Sequence, residues 1–286
     1  MKEWRLEFPV EVMARVLCVS RGGFYAWLGR PPSRRAVEDV RLKVAIAAAH
    51  AKTRETYGSK RLQAELAEEG FAAGRDRIAR LRRGLGLRCR QKRKFKATTN
   101  SNHAFPVADN VVGQDFTAKG PDQVWHTDIA YIDTDEGWLY LAGVKDQFTC
   151  EVVGYAMGAR MTQDLTLSAL SMAVGLRRPA PGLIHHSDRG SQYCAGDYRK
   201  RLKRHGLVAS MSRKGNCYDN APIESFWGSL KNELVHHQRY ATRAEAEASI
   251  REYIGIFYNR QRRHSRLGNL APAVFAQNYR KQQKAA

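Results

Sequence analysis

Cysteine is scarce and scattered. The five residues, Cys18, Cys89, Cys150, Cys194 and Cys217, are odd in number and contain no CxxC pair. Such a set supplies neither a disulfide framework nor a cysteine zinc site, and it suits a reducing compartment. Long apolar runs are missing as well. None approaches the roughly 20 residues that a membrane-crossing helix needs, and the opening MKEWRLEF has no signal-peptide-like apolar stretch. The expectation is a cytoplasmic protein with no membrane partner. Acid is also in short supply, with 28 Asp and Glu against 48 Lys and Arg, a net charge of +20. That deficit is local. Residues 1–104 hold 24 basic and 10 acidic side chains, residues 105–240 hold 15 of each, and residues 241–286 hold 9 and 3. A neutral middle between basic flanks suits a chain whose flanks bind a polyanion while its centre does chemistry. A generally basic, soluble protein is the plainer alternative. With 43% apolar residues over 286 positions, a sizeable core is expected in either case.

What is present centres on the stretch from Leu183 to Trp227. Asp188 closes the apolar run LIHHS and is followed by Arg189-Gly190, which reads as a strand entering a turn. Glu224 stands just inside a helix, with Asn220 as a plausible cap, Pro222 in the first turn, and Ile223, Phe226, Trp227, Leu230 and Leu234 at helical spacing. Thirty-five residues separate the two acids. A third, Asp128, interrupts the β-like run VWHTDIAYID at a cost in strand propensity. Acids at a strand end, on a helix and within a strand can be aimed at one cation.

The flanks read differently. Val10 to Leu17 and a Ser20-capped segment through Leu28 are short helices, and Arg30-Pro31-Pro32-Ser33 breaks the chain. A longer helix over about 34–53 carries Val40, Val44, Ala47 and Ala48 on one face. Next, a helix capped by Ser59 and bearing Leu62 and Leu66, a Gly70–Gly74 turn and the basic RDRIARLRRG form a helix-turn-helix pattern, its second helix offered to a major groove. Arg75, Arg77, Arg80, Arg82 and Arg83 have no acidic neighbour in sequence beyond Asp76 and are candidate DNA contacts; a helical hairpin with a basic surface is the alternative. Lys92, Arg93 and Lys94, in the run RCRQKRKFK, can track phosphates or form a solvated tail.

From Val124 the pattern becomes three strands in meander, a helix over 163–177, the strand LIHH, a helix over GDYRKRLKRHG, the strand VASMS and the Glu224 helix. The order βββ-α-β-α-β-α is that of an α/β, ribonuclease-H-like domain with a five-stranded mixed sheet. After it, Thr242-Arg243-Ala244-Glu245 is a capping box, and an amphipathic helix runs into NRQRRHSRLG. There Arg262 and Arg263 are candidate DNA contacts, with a solvated helix end as the alternative. The expected division is 1–32 N-terminal helical segment, 33–96 helix-turn-helix-like region, 97–122 linker, 123–240 catalytic core and 241–286 basic C-terminal extension.

The motifs WHTDIAYI, HHSDRGSQY, SMSRKGNCYDNAPIESFWGSLKNEL and YNRQRRHSRLGNLAP resemble the catalytic frame of transposases from the large bacterial insertion-sequence family with two overlapping frames, specifically its second-frame, OrfB-type product. The resemblance covers nearly the whole chain. It implies a retroviral-integrase-like core with an Asp, Asp, 35-residue gap, Glu signature, in which Asp128, Asp188 and Glu224 are both catalytic residues and ligands of two Mg²⁺ ions, Mn²⁺ being able to substitute. It implies 3′-end cleavage and strand transfer on double-stranded DNA, a homo-oligomer on the element's terminal repeats, and a frameshift fusion with the upstream helix-turn-helix product. The upstream zinc module of integrases has no counterpart here. A stand-alone metal nuclease and a catalytically idle DNA-binding regulator are the alternatives.

Other candidates admit two readings. His185 and His186 point to opposite sides of a strand, so one can lie near the scissile phosphate or both can be structural. His126 shares a strand face with Asp128, for substrate contact or for packing. Arg213 and Lys214, in a loop like the flexible active-site loop of integrases, can grip DNA, while Asn216, Tyr218 and Asn220 can simply shape its turn. Lys231, seven residues beyond Glu224, can hold a phosphate or face solvent.

Overall fold

The structure, a computed structural model, describes residues 1–90, 106–214 and 216–285. Lys92, Arg93 and Lys94 lie outside the described residues. No helix among those described is long and apolar enough to cross a membrane.

The N-terminal part is helical. Helix α1 (Val10–Val16) precedes α2 (Arg21–Gly29), whose cap Ser20 accepts the Gly23 N–H at 2.9 Å. Beyond the two prolines, Ser33 caps α3 (Arg34–Lys52), which packs with α4 (Ser59–Glu68) and α5 (Arg75–Gly84). Two sequence expectations are corrected here. Gly58, not Ser59, occupies the cap position of α4, and no side chain caps it. The buried stripe of α3 is Leu42, Ala45, Ile46 and Ala49, which meets Leu62, Leu66, Ile78 and Leu81. Val40 and Val44 stay 63% and 69% exposed, because α3 carries two apolar stripes and α4 and α5 cover one.

The centre is a five-stranded mixed sheet of order β3-β2-β1-β4-β5, as the sequence led us to expect. Strands β1 (Val124–Ile132), β2 (Leu139–Asp146) and β3 (Val152–Gly158) form an antiparallel meander. After α6 (Gln163–Arg177), β4 (Ile184–Ser187) joins β1 in parallel; α7 (Ser191–Cys194) and α8 (Gly196–Arg204) lead to β5 (Val208–Met211), parallel to β4. Strand alternation splits the core. Ala142, Val144 and Val153 pack on α6 and α8, whereas Ala130, Ile132, Leu139 and Leu141 pack on α9 (Ala221–Glu233) and the segments that follow it.

Those segments are α10 (Arg243–Glu252), a π-helical continuation (Tyr253–Gln261) and α11 (Pro272–Ala285). Both halves of the capping box expected at Thr242 are formed with Glu245. Ile250, Tyr253, Ile254, Phe257 and Tyr258 are all buried against α9 and the sheet.

Candidate active site

Asp128 is the fifth residue of β1 and stands opposite Gly143 of β2. The missing side chain at 143 leaves room for the Trp227 ring, which a Cβ there would meet at 2.7 Å. Trp227 Nε1 donates to Asp128 Oδ2 at 3.0 Å. β4 pairs with β1 from Val124↔Ile184 to His126↔His186. Continuing that register by two residues sets Asp188, just past the end of β4, beside Asp128. An Asx turn holds it, with the Gly190 N–H donating to Asp188 Oδ1 at 2.9 Å. Glu224 is exposed in the first turn of α9. It precedes Trp227 by three residues, so one helical turn presents both an acid and the donor to Asp128.

Two buried tethers fix the start of this helix. Asn220 does not cap it through its side chain, as the sequence suggested. Its amide donates to the Thr127 carbonyl at 2.9 Å, and its oxygen meets His126 Nδ1, also at 2.9 Å. Lys145, buried in β2, donates to the Pro222 carbonyl at 2.7 Å, and burial lowers its pKa to about 8.

The electrostatics bring the three acids together. Burial, then the charge of Asp188 and to a lesser extent Glu224, push the Asp128 carboxyl up to about 8, against the Ile129 N–H and the Trp227 indole. Glu224, though exposed overall, is raised by partial desolvation at the site and then by Asp188. Carboxylates that raise one another must take up protons or share a cation. Among the described residues, no three His, Cys, Asp or Glu side chains close to metal-binding spacing; the acids share a field without forming a tight coordination cluster. Their chemistry fits a hard divalent ion, since Mg²⁺ and Mn²⁺ take carboxylate oxygens and Mg²⁺ keeps several waters. Lys231 is half-buried on the same helix; burial lowers its pKa, and Asp128 opposes that shift.

The histidines belong to the core. His126 bonds Asn220 and Gln147, His185 bonds Tyr198, and His186 bonds Ser210 and Ser212. Burial lowers their pKa values to about 4, 3 and 4 respectively, so all three are neutral at physiological pH. Asp219, which the sequence did not single out, fastens the 212–220 loop. It accepts from the Arg213 backbone and guanidinium and from Asn110 and Gln114, and the Arg213 contact holds its carboxyl well below the usual range.

The basic candidates separate by environment. Arg75, Arg83 and Lys214 are exposed. Arg82 and Arg83, with Arg88, line a cleft of about 460 Å³. Arg77 and Arg80 do have acidic partners, both reaching Asp39 of α3 at 2.7 Å, which a sequence separation of some 40 residues conceals. Arg262 and Arg263, expected at a DNA-facing helix end, are turned inward at 5% and 7% exposure. Arg262 bonds Glu233, and Arg263 bonds Glu65 and Glu68, because carboxylates distant in sequence, the buried Glu233 and Glu65 and the exposed Glu68, compete for them. Trp227 was legible only as a core residue, although its i+3 spacing from Glu224 was a usable signal.

Comparison with known proteins places these features in a family. The Integrase core domain matches residues 118–217 and, through a second family of the same description, 205–272; an HTH-like domain matches residues 38–95. The simian T-cell lymphotropic virus intasome in complex with PP2A regulatory subunit B56 gamma aligns at TM-score 0.47 with 15% identity, over 81% of this chain and 74% of that one. The chain is 62% identical to the "Insertion element IS600 uncharacterized 31 kDa protein" of Shigella sonnei, over 93% of this chain and 98% of that protein. It is 42% identical to the "Transposase InsF for insertion sequence IS3A" of Escherichia coli (strain K12), over 96% of each. Identity sustained across almost the full length of both chains carries family membership, and this chain belongs to the IS3-type insertion-sequence transposases, DNA transposases with an integrase core domain.

Proposed function

We propose that Asp128, Asp188 and Glu224 are the catalytic acids of this transposase and together hold two Mg²⁺ ions during 3′-end cleavage and strand transfer. The observation that carries this is the placement of three carboxylates from β1, the end of β4 and α9 around one point, with Asp188 beside Asp128 in the strand register and Glu224 one turn from the Trp227 that bonds Asp128; the charge of Asp188 raises both of the others. An integrase core works with a divalent metal. When bound, such ions activate the attacking oxygen and neutralise the departing one in an in-line displacement. The protein's own part is positional. Trp227 and the Ile129 N–H orient Asp128, the Gly190 turn orients Asp188, and Lys145 with Asn220 anchors the helix that carries Glu224. The half-buried Lys231, beside Asp128, is placed to hold a phosphate. No serine or tyrosine nucleophile is needed: water attacks first, and the freed 3′-OH then attacks the second strand.

DNA binding by the helix-turn-helix region and the core follows from the family. Its finer division is our proposal: a DNA-reading unit at 33–96, a linker at 97–122, a catalytic core at 123–240 and a C-terminal extension at 241–286. The separate cluster of α3, α4 and α5 supports a distinct helical unit, whereas the C-terminal extension shares one core with β1, β2 and α9 and packs as part of the catalytic domain. Exposed Arg75, Arg83 and Lys214, with Arg82 and Arg88 in the basic cleft, are placed to contact phosphates. We further propose that the chain acts in the cytoplasm as an oligomer on the element's terminal repeats, with the upstream-frame product as its fusion partner.

The test is a cleavage and joining assay on DNA carrying the element's own ends, with Mg²⁺, Mn²⁺ or chelator. Metal-dependent cleaved and joined products that vanish in Asp188→Asn are expected. Cleavage without joining, even with the upstream-frame product supplied, would instead indicate a nuclease. Salt-sensitive binding alone would leave a DNA-binding regulator.

A smaller effect is expected at the indole. Trp227→Phe keeps a ring over Gly143 and deletes one donor to the half-buried Asp128 carboxylate. Single-turnover cleavage should fall about 10- to 100-fold, the rate equivalent of a hydrogen bond to a charged group, with little change in melting temperature. An unchanged rate would remove Trp227 from the machinery.

A further inference from the structure

Arg262 and Arg263 are adjacent, buried and turned to different neighbours. Arg262 grips the end of α9: its guanidinium reaches both Glu233 oxygens at 2.7–3.0 Å and Ser229 Oγ, one turn earlier, at 3.2 Å. Tyr253 of the π-helical segment donates to Glu233 at 2.8 Å, and Arg61 of α4 lies 4.0 Å away. One buried carboxylate is thus reached from the helical unit and from the C-terminal extension, and the same guanidinium also holds Ser229 of α9. Arg263 faces the helical unit. Its backbone N–H donates to Tyr57 Oη at 2.6 Å, and its guanidinium bonds Glu65 at 2.6 Å and Glu68 at 2.9 Å, with Lys52 of α3 on Glu65 at 2.7 Å.

Buried ion pairs are poor stabilisers, since well-packed apolar replacements are often neutral or better; their attested use is to specify one geometry. The geometry specified here is that of α9. Glu233 lies nine residues beyond Glu224, roughly 13 Å along the axis and on nearly the opposite side. Glu224, Trp227 and Lys231, at i, i+3 and i+7, share one face; Ser229 and Glu233, at i and i+4, share the other. A planar fork held at two points one turn apart fixes both the rotation and the translation of a helix. With side-chain tips about 6 Å from the axis, a 10° rotation would move Glu224 by about 1 Å, and such an error can cost about 100-fold in rate.

We propose that Arg262 is a positioning residue for Glu224, and that the Arg262–Arg263 joint ties the register of α9 to the helical DNA-binding unit. The proposal rests on the assignment of Glu224 as a catalytic acid. It is tested on the full chain with duplex carrying the element's ends, comparing wild type, Arg262→Lys, the double variant Arg262→Met/Glu233→Met, and Glu224→Gln. The double variant removes both buried charges of the pair and leaves Arg61, whose side chain is 30% exposed, to solvent, and Arg262→Lys keeps the charge without the fork, so the joint is probed in two independent ways. For both we expect melting temperature within a few degrees of wild type and end-DNA affinity within about threefold, with cleavage at saturating DNA and metal down 10- to 100-fold. In wild type, DNA should add hydrogen-exchange protection to amides 221–233, and in the double variant it should not. Wild-type cleavage in either variant would overturn the proposal, as would binding and cleavage falling by one common factor or unchanged coupling of exchange to DNA. Full cleavage by Glu224→Gln would instead remove the acid assignment beneath it.

Discussion

Asp128→Asn is expected to abolish strand cleavage, by about a thousandfold or more, while making the metal-free protein more stable. Both effects have one cause. In the fold, the Asp128 carboxyl is pushed up to about 8 by burial and by its acidic neighbours, against about 4 in an unfolded chain. Between those values the folded protein holds the proton more tightly than the unfolded one, so stability falls as pH rises from about 4 to about 8 and the full penalty is present above that. Asparagine carries no charge to bury, and its carbonyl oxygen can still accept from Trp227. The measurement is thermal unfolding of both proteins in chelator from pH 5 to 8.5, beside a cleavage assay. The melting temperature of the variant should exceed that of wild type by a margin that widens with pH. A margin that stays flat would mean that the carboxylates do not share a strained site. Because metal binding requires the ionised acids, Mg²⁺ should narrow the margin from the wild-type side.

The elements were largely legible where their signals are local. Helix α6 follows from apolar spacing, the Thr242 capping box from four consecutive residues, and the mixed sheet from the order of short apolar runs. The three acids that we propose as catalytic were singled out because element type, a 35-residue spacing and long flanking motifs coincided. What was hidden depends on register and on distant partners. The bond from Trp227 to Asp128 needs a glycine at 143, directly across the ladder. The inward turn of Arg262 and Arg263 needs Glu233, Glu65 and Glu68, of which Glu65 and Glu68 lie nearly 200 residues away. On α3 the choice between the Val40/Val44 stripe and the Leu42/Ala45/Ile46 stripe is made by α4 and α5, not by the helix itself. The same holds for His126, His185 and His186. Their place in the core is set by Asn220, Tyr198, Ser210 and Ser212, so a histidine that precedes a candidate acid cannot be assigned from its position alone.

Gly154→Ala is expected to be the most disruptive single methyl in the sheet. A Cβ at 154 would lie 2.3 Å from the Ala169 carbonyl oxygen and 2.7 Å from both the nitrogen and the Cβ of Ala173. Two of these three are backbone atoms of α6, which cannot rotate away, so the helix itself must lift from β3. Overpacking of this kind costs about 3 kcal/mol or more, equivalent to several degrees of melting temperature, and alanine's better strand propensity recovers only a fraction of it. Gly175→Ala, in the same helix, provides the contrast. Nothing lies within 4 Å of its Cβ position, so it should stabilise by about 0.5–1 kcal/mol through helix propensity and a less flexible unfolded chain. The third variant, Gly154→Ala/Ala173→Gly, separates the sources of strain. It removes the side-chain clash and leaves the carbonyl at 2.3 Å, so denaturant midpoints should show only partial rescue. Full rescue would place the constraint in the Ala173 methyl rather than in the close approach of the helix backbone to the strand.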